Sequence, residues 1–178
     1  MAGGTACGPE RDLSGVWRLT DCGPAGQACA DGYVYELHLG RYGDGVTGVV
    51  VRYRFQGADL DSFQRQHECG CFFIESGTAD EDRLRFELFE PGVARLPDPA
   101  FISPDPACRP PPPECVGRRF ALDAGAGDTL RGEITCGAGT GPAAEVSFTR
   151  TRGKVRTTCV CPGEGDPDRQ CATPGAGP

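Results

Sequence analysis

Apolar and polar residues alternate with a period of two along most of this chain, and no segment shows the 3.6-residue period of a helix. In residues 33–42, for example, the odd-numbered positions from Tyr33 to Leu39 are apolar, whereas Glu36 and His38 are polar. Successive side chains of a strand point to opposite faces, so one face of this segment is expected to be buried and the other to face water. The alternation predicts an all-β protein.

Eight runs of this kind follow one another, and turn residues such as Gly43-Asp44-Gly45 separate most of them. The runs are 15–20, 33–42, 46–55, 68–76 and 83–88, followed by shorter ones that contain Phe120 and Leu122, Leu130 and Ile134, and Val146 and Phe148. Eight strands with short connections allow an antiparallel meander to close on itself. We predict an eight-stranded antiparallel up-and-down β-barrel. The alternative is a β-sandwich, which needs longer crossing connections.

The extent of the alternation indicates one domain with an extension at each end. Residues 1–12 are an N-terminal linker, and residues 13–152 hold the barrel. The Pro-rich insertion 91–117 interrupts the barrel segment and is not expected to contain a central strand, because proline lacks an amide donor. Residues 153–178 form a tail with cysteines but few other apolar residues, so we expect disulfides to dock this tail.

The start of the first run carries a resemblance to a known family. Leu13-Ser14-Gly15-Val16-Trp17 is similar to the Gly-x-Trp start of the first barrel strand in the calycins, the lipocalin and avidin families. In lipocalins a basic residue near the end of the last strand stacks on this tryptophan and closes one barrel end. The resemblance implies that Trp17 and Arg150 close the barrel, with Arg152 as the alternate. Read without the resemblance, Trp17 is a core aromatic.

A calycin-like barrel implies an interior that binds one small apolar molecule. The resemblance makes Tyr33, Tyr35, Tyr53, Phe86 and Phe120 the predicted ligand-binding residues. With Phe55 and Phe148, seven large rings are expected to point inward, and these rings could also fill the barrel completely. The alternative is therefore a filled barrel that serves as a structural or protein-interaction module of the cell envelope. The residues after Trp17 do not reproduce the biotin contacts of avidins, so biotin is not predicted.

Eleven cysteines in 178 residues point to an oxidising compartment. We expect an extracytoplasmic protein, either secreted or anchored to the cell envelope. Local pairs such as Cys22 with Cys29 and Cys108 with Cys115 fit short loops, and we also expect the Cys69/Cys71 strand to be linked to the Cys159/Cys161 tail, although sequence does not determine connectivity. The cysteines predicted to form disulfides are Cys22, Cys29, Cys69, Cys71, Cys108, Cys115, Cys136, Cys159, Cys161 and Cys171.

The odd number of cysteines leaves Cys7 with a separate role. Gly4-Thr5-Ala6-Cys7 partly resembles the site at which bacterial lipoproteins are cleaved and acylated, although Gly4 stands where a leucine is usual. We predict lipidation of Cys7, with a free thiol or an intermolecular disulfide as the alternatives. Because no run of 18 apolar residues occurs, this anchor is the only membrane attachment that we expect.

The two Cys-x-Cys pairs, Cys69/Cys71 and Cys159/Cys161, could together bind zinc, with His67 as an extra ligand. In an oxidising compartment these cysteines fit disulfides better, so we predict no metal and no cofactor.

The remaining chemistry of the sequence argues against an enzyme and against nucleic-acid binding. The only histidines, His38 and His67, lie beside no recognisable nucleophile motif, so we predict a non-enzymatic protein. The net charge of −7 disfavours nucleic acid as a partner. The expected partners are a small apolar ligand or an envelope protein.

Overall fold

Every regular element in the described part of the chain is a β-strand. The computed structural model describes residues 11–22, 33–42, 45–54, 68–80, 82–88, 101–102, 118–135, 143–157 and 159. The strands are β1 (Gly15–Cys22), β2 (Tyr33–Tyr42), β3 (Gly45–Arg54), β4 (Glu68–Asp80), β5 (Arg83–Leu88), β6 (Phe101–Ile102), β7 (Arg119–Ala124), β8 (Thr129–Thr135) and β9 (Ala143–Thr151). Within these residues, no helix is long and apolar enough to cross a membrane.

Eight of these strands form a closed antiparallel ring in which each strand pairs with the next one along the chain. The order around the ring is β1-β2-β3-β4-β5-β7-β8-β9, and β9 pairs with β1 over Val16 to Cys22. Closure removes the free strand edges that an open meander would present to solvent. The predicted eight-stranded up-and-down barrel is confirmed, and the sandwich alternative is wrong.

The two-residue strand β6 comes from the insertion 91–117 and is not a member of the ring. β6 pairs with Gly70 and Cys71 at the start of β4, whereas β5 pairs with the second half of the same strand, from Ile74 to Asp80. β6 and β5 therefore pair with successive parts of β4. Of the insertion 91–117, only the two residues of β6 are described, and they pair with β4 alone.

The two ends of the barrel differ in the connections between their strands. At one end, β2–β3, β4–β5 and β7–β8 are joined through 43–44, 81–82 and 125–128. At the other end, the connections are 23–32, 55–67, 89–118 and 136–142. We call these the short-turn end and the long-connection end. All four long connections leave the same end because the strands alternate in direction.

The β2–β3 hairpin corrects the predicted orientation of β3. Tyr42 pairs with Gly45, so the turn has two residues, Gly43 and Asp44, and not the three that the sequence pattern indicates. A shift of one residue turns every side chain of a strand to the opposite face. Arg52 therefore lies opposite Tyr35 on the inner face, whereas Tyr53 shares the outer face with Val34. The prediction that Tyr53 points into the barrel is wrong.

The outer surface differs between the two halves of the barrel. On β5, β7, β8 and β9, outward residues such as Arg85 and Asp123 are exposed, and this pair lies 3.7 Å apart. On β1 to β3, the outward residues Val16, Glu36 and Val49 are buried. The expectation that one face of β2 contacts water is therefore wrong. The chain after β9 reaches this face, where the amide of Arg156 binds His38.

Gly48 makes a close approach of β3 to β2 possible. Its φ of 141° lies in the region that favours glycine, and a Cβ atom there would lie 1.9 Å from the carbonyl oxygen of His38. Gly127, in the turn before β8, has a φ of 70° but no atom within 4 Å of a built Cβ.

We expect Gly48→Ala to lower the free energy of unfolding by roughly 1–3 kcal/mol more than Gly127→Ala, because only the first adds a steric clash to the backbone strain. Urea denaturation of the two variants measures the difference. Equal losses of unfolding free energy in the two variants would show that β3 does not approach β2 closely at Gly48.

Candidate functional site

The barrel interior brings together four of the five predicted ligand-binding residues. Tyr33 and Tyr35 on β2, Phe86 on β5 and Phe120 on β7 are all buried and lie on the inner faces of their strands. The fifth, Tyr53, is also buried but lies on the outer face. Four of the residues predicted from the sequence therefore line the barrel interior, whereas Tyr53, the one predicted from β3, does not.

Phe120 is the centre of an aromatic cluster that crosses the lumen. Its ring stacks on Phe86 with 4.6 Å between the ring centroids, and it meets Tyr35 edge-on at 5.9 Å. Phe148 lies on a third side, at 6.5 Å. Because β2 and β7 are on opposite sides of the ring of strands, the contact between Tyr35 and Phe120 joins opposite walls of the barrel. These four rings form a layer, which we call the aromatic layer, that extends across the lumen.

Among the described residues, two arginines lie inside the barrel next to this aromatic layer. The exposed fractions of Arg52 and Arg118 are 0% and 1%. The Arg52 guanidinium lies 4.4 Å from the centroid of the Tyr33 ring and 5.2 Å from that of Phe72, and Arg118 donates a hydrogen bond to the Tyr35 hydroxyl. A guanidinium is weakly hydrated and stacks favourably on aromatic faces, so it is the cation best suited to such a place.

Sequence reasoning missed both arginines for identifiable reasons. Arg52 follows Val50 at a spacing of two, so the two side chains lie on the same face of β3. If the turn before β3 had been predicted with two residues, both would have been predicted to point into the barrel. Arg118 lies two residues before Phe120, so extending the alternation backward by one step would have found it.

The short-turn end is closed by the two residues that the calycin resemblance indicates. Trp17 pairs with Arg150 in the β1–β9 register, and the Arg150 guanidinium lies 4.7 Å from the centroid of the Trp17 ring. The indole Nε1 donates a 3.0 Å hydrogen bond to the carbonyl oxygen of Leu13, and Arg150 donates to the carbonyl oxygen of Asp12. The N-terminal segment is therefore held across the end of the barrel. The alternate residue, Arg152, is exposed.

The carboxylate of Asp12 supports the same closure. The hydroxyl and amide of Ser14 donate hydrogen bonds of 2.6 and 2.9 Å to its Oδ1 atom, and they lower the pKa of Asp12, assisted by the positive charges of Arg150 and Arg41. A depressed folded-state pKa stabilises the fold above the unfolded-state value, and this contribution is lost as the pH falls through the folded-state value. Acid therefore weakens this end.

A second polar cluster lies outside the barrel, on the outer face of β2. The Oε1 atom of Glu36 is 3.1 Å from Nε2 of His38, and its Oε2 atom accepts a 3.2 Å hydrogen bond from Arg18 on β1. Glu36 and His38 are both buried. The backbone amide of Arg156, after the last strand, donates a 3.0 Å hydrogen bond to Nδ1 of His38. The polar residues Glu36 and His38 led to the prediction that this face is solvated. The prediction was wrong because a residue far away in the chain, Arg156, contacts this face, and no local sequence pattern reveals such a contact.

A disulfide links β4 to the C-terminal tail. Cys71 forms a disulfide with Cys159, one of the links expected from the sequence, and Cys69 and Cys22 are also disulfide-bonded. A disulfide sulfur is not a thiolate, so the alternative zinc site on the two Cys-x-Cys pairs loses three of its four ligands. Cys7, Cys29, Cys108, Cys115, Cys136, Cys161, Cys171, Phe55 and His67 lie outside the described residues.

Within the described parts of the chain, no group of three or more histidine, cysteine, aspartate or glutamate side chains is arranged to hold a metal ion. Neither the family models nor the curated proteins gave a match to this sequence.

We expect Arg150→Met to lower the free energy of unfolding by about 1–3 kcal/mol, because it removes the cation over Trp17 and the hydrogen bond to Asp12. Trp17 is the only tryptophan, so its fluorescence during urea denaturation reports on this end directly. The matched control is Arg152→Met, which changes an exposed arginine two residues away and should cost less than about 0.5 kcal/mol. Equal effects of the two substitutions would contradict the assignment of Arg150.

Proposed function

We propose that this protein is a non-enzymatic, extracytoplasmic β-barrel module whose filled lumen supports a binding surface for an envelope protein. The observation that carries the proposal is the contact between Tyr35 and Phe120 across the lumen. A barrel of eight strands is just wide enough for its own side chains or for one small ligand. Where rings from opposite walls touch, the space is already taken.

The buried arginines support the same reading. An apolar ligand placed beside Arg52 and Arg118 would surround two guanidinium groups with hydrocarbon, which is unfavourable. The aromatic rings that now face them provide a negative π surface, which hydrocarbon does not offer. Packed protein is thus a better neighbour for these cations than an apolar cargo.

The binding surface is assigned to the long-connection end. Binding residues occur most often on loops that a rigid scaffold positions, and this end carries all four long connections of the barrel. The opposite end is occupied by the short turns and by the Trp17–Arg150 closure. A rigid aromatic layer beneath the long connections suits a protein-docking module.

The second candidate is the calycin-like function, in which the barrel binds a small apolar molecule. The closed ring of eight strands favours it, since this is the architecture that accommodates one such molecule. Tyr33, Tyr35, Phe86 and Phe120 would then line the ligand site, and the ring of Phe120 would have to move aside.

Ligand titrations separate the two candidates. We expect the wild-type protein to show no saturable binding of N-phenyl-1-naphthylamine and no thermal stabilisation by benzene, because its lumen is filled. Phe120→Ala removes the centre of the aromatic cluster and should cost about 3–5 kcal/mol. The cavity that it leaves is apolar and should take up benzene, which would raise the melting temperature of this variant.

Phe120→Leu is the milder variant if the alanine variant does not fold. Phe101→Leu provides a control with the same change in size on β6, which is not part of the ring. Saturable binding of the naphthylamine probe to the wild-type protein, abolished by Phe120→Trp, would overturn the filled-barrel proposal and establish the ligand-binding candidate.

The extracytoplasmic location is proposed because disulfides persist in oxidising compartments. The disulfide between Cys71 and Cys159 supports it, as do those of Cys22 and Cys69. Lipidation of Cys7 belongs to the same proposal and concerns a residue outside the described ranges. The intact mass of protein extracted from native membranes is expected to include acyl chains on Cys7, and a mass without them would remove the anchor from the proposal.

A further inference from the structure

Residues 152–157, together with Cys159, form a segment that we call the strap. The strap follows β9 and crosses the outer face of the barrel. A Cβ atom on Gly153 would lie 3.5 Å from Val16 on β1, the amide of Arg156 binds His38 on β2, and Cys159 is bonded to Cys71 on β4. The strap thus makes successive contacts with three strands of the barrel.

The outer face at this place is apolar apart from the cluster around His38. Val49 on β3 pairs with His38, and Val16 on β1 pairs with it from the other side. The exposed fractions of Val16, Val49 and His38 are 2%, 0% and 6%. The strap contacts two of these residues, Val16 through Gly153 and His38 through the amide of Arg156.

The hydrogen bonds of His38 require one neutral tautomer. Nδ1 accepts a hydrogen bond from the amide of Arg156, so it carries no proton. Nε2 lies 3.1 Å from Oε1 of Glu36 and therefore carries the proton and donates it. One ring nitrogen holds the strap, and the other is bound to the sheet.

Protonation of Nδ1 changes the two contacts in opposite directions. The new N–H would face the N–H of Arg156, so the hydrogen bond to the strap is lost and two donors oppose each other. The bond to Glu36 becomes an ion pair and strengthens. Among the described residues, the other charged groups at this position are Arg18, which binds Glu36 from β1, and Arg156 on the strap, whereas Val49 pairs with His38 from β3.

We propose that His38 is a pH-sensitive latch that holds the strap on the barrel when neutral and releases it when protonated. Cys71–Cys159 and the chain continuity with β9 hold both ends of the strap in either state. Acidification therefore lifts the intervening residues without detaching the strap. The consequence is exposure of the apolar surface around Val16.

Hydrogen exchange of the Arg156 amide tests the latch in the full chain with its disulfides oxidised. Histidine changes charge between about pH 5 and pH 8, so these two values are compared after correction for intrinsic exchange rates. We expect protection of the Arg156 amide to fall roughly 2- to 12-fold at the lower pH, the range that corresponds to the loss of one hydrogen bond.

Variants of the two histidines separate a latch from a merely structural role. The Oδ1 atom of His38→Asn replaces Nδ1 as an acceptor without titrating, so protection of Arg156 should become independent of pH. His67→Asn changes the only other histidine and should preserve the wild-type pH dependence. An unchanged pH dependence in His38→Asn, or constant protection in the wild-type protein, would overturn the proposal.

A measurement on the wild-type protein keeps the proposal testable if His38→Asn does not fold. Long-range proton–nitrogen spectra report the protonation of each imidazole nitrogen. At the higher pH they should show the tautomer protonated at Nε2. On acidification, protonation of Nδ1 should coincide with the loss of Arg156 protection. Protonation of His38 while Arg156 stays protected would contradict the latch.

Discussion

The pairing of β1 with β9 is the constraint on which the rest of this structure depends. It joins the first strand to the last, so that the sheet has no free edge in the ring and its inner faces enclose one core. The same register places Trp17 opposite Arg150 and Leu19 opposite Phe148. Closure of the ring and closure of the short-turn end are therefore consequences of one set of hydrogen bonds.

Closure also determines how the lumen is filled. Once β2 and β7 lie on opposite walls, Tyr35 and Phe120 are close enough to touch, and the aromatic layer around Phe120 follows. Arg52 and Arg118 are buried beside that layer because rings and a tyrosine hydroxyl face them. The described part of the interior thus combines aromatic rings that meet across the lumen with buried cations, which is why we favour a scaffold over an apolar carrier.

The strap lies on the outer face of the barrel, where it contacts Val16, His38 and Cys71. On β5 and β7, charged residues such as Arg85 and Asp123 face solvent, and the alternation of the sequence is preserved at the surface. Under the strap, Glu36 and His38 retain their hydrogen bonds although they are buried, as polar groups inside proteins must. The disulfide between Cys71 and Cys159 joins residues 88 positions apart in the chain and restrains a tail with few apolar side chains of its own.

The sequence by itself indicated the eight strands of the ring and their antiparallel meander, because a period of two and the turns between runs are local properties of the chain. It did not indicate β6, and the pairing of β1 with β9 that excludes a sandwich is a long-range contact. The sequence also determined that Phe86 and Phe120 point inward, since alternation on β5 and β7 leaves no other choice. Only the tertiary structure decided which side chains of β3 point inward. Because the turn before β3 is one residue shorter than the pattern indicated, Arg52 points inward and Tyr53 outward. Likewise, the burial of His38 depends on Arg156, 118 residues away, and no local pattern contains a contact between segments so distant in the chain.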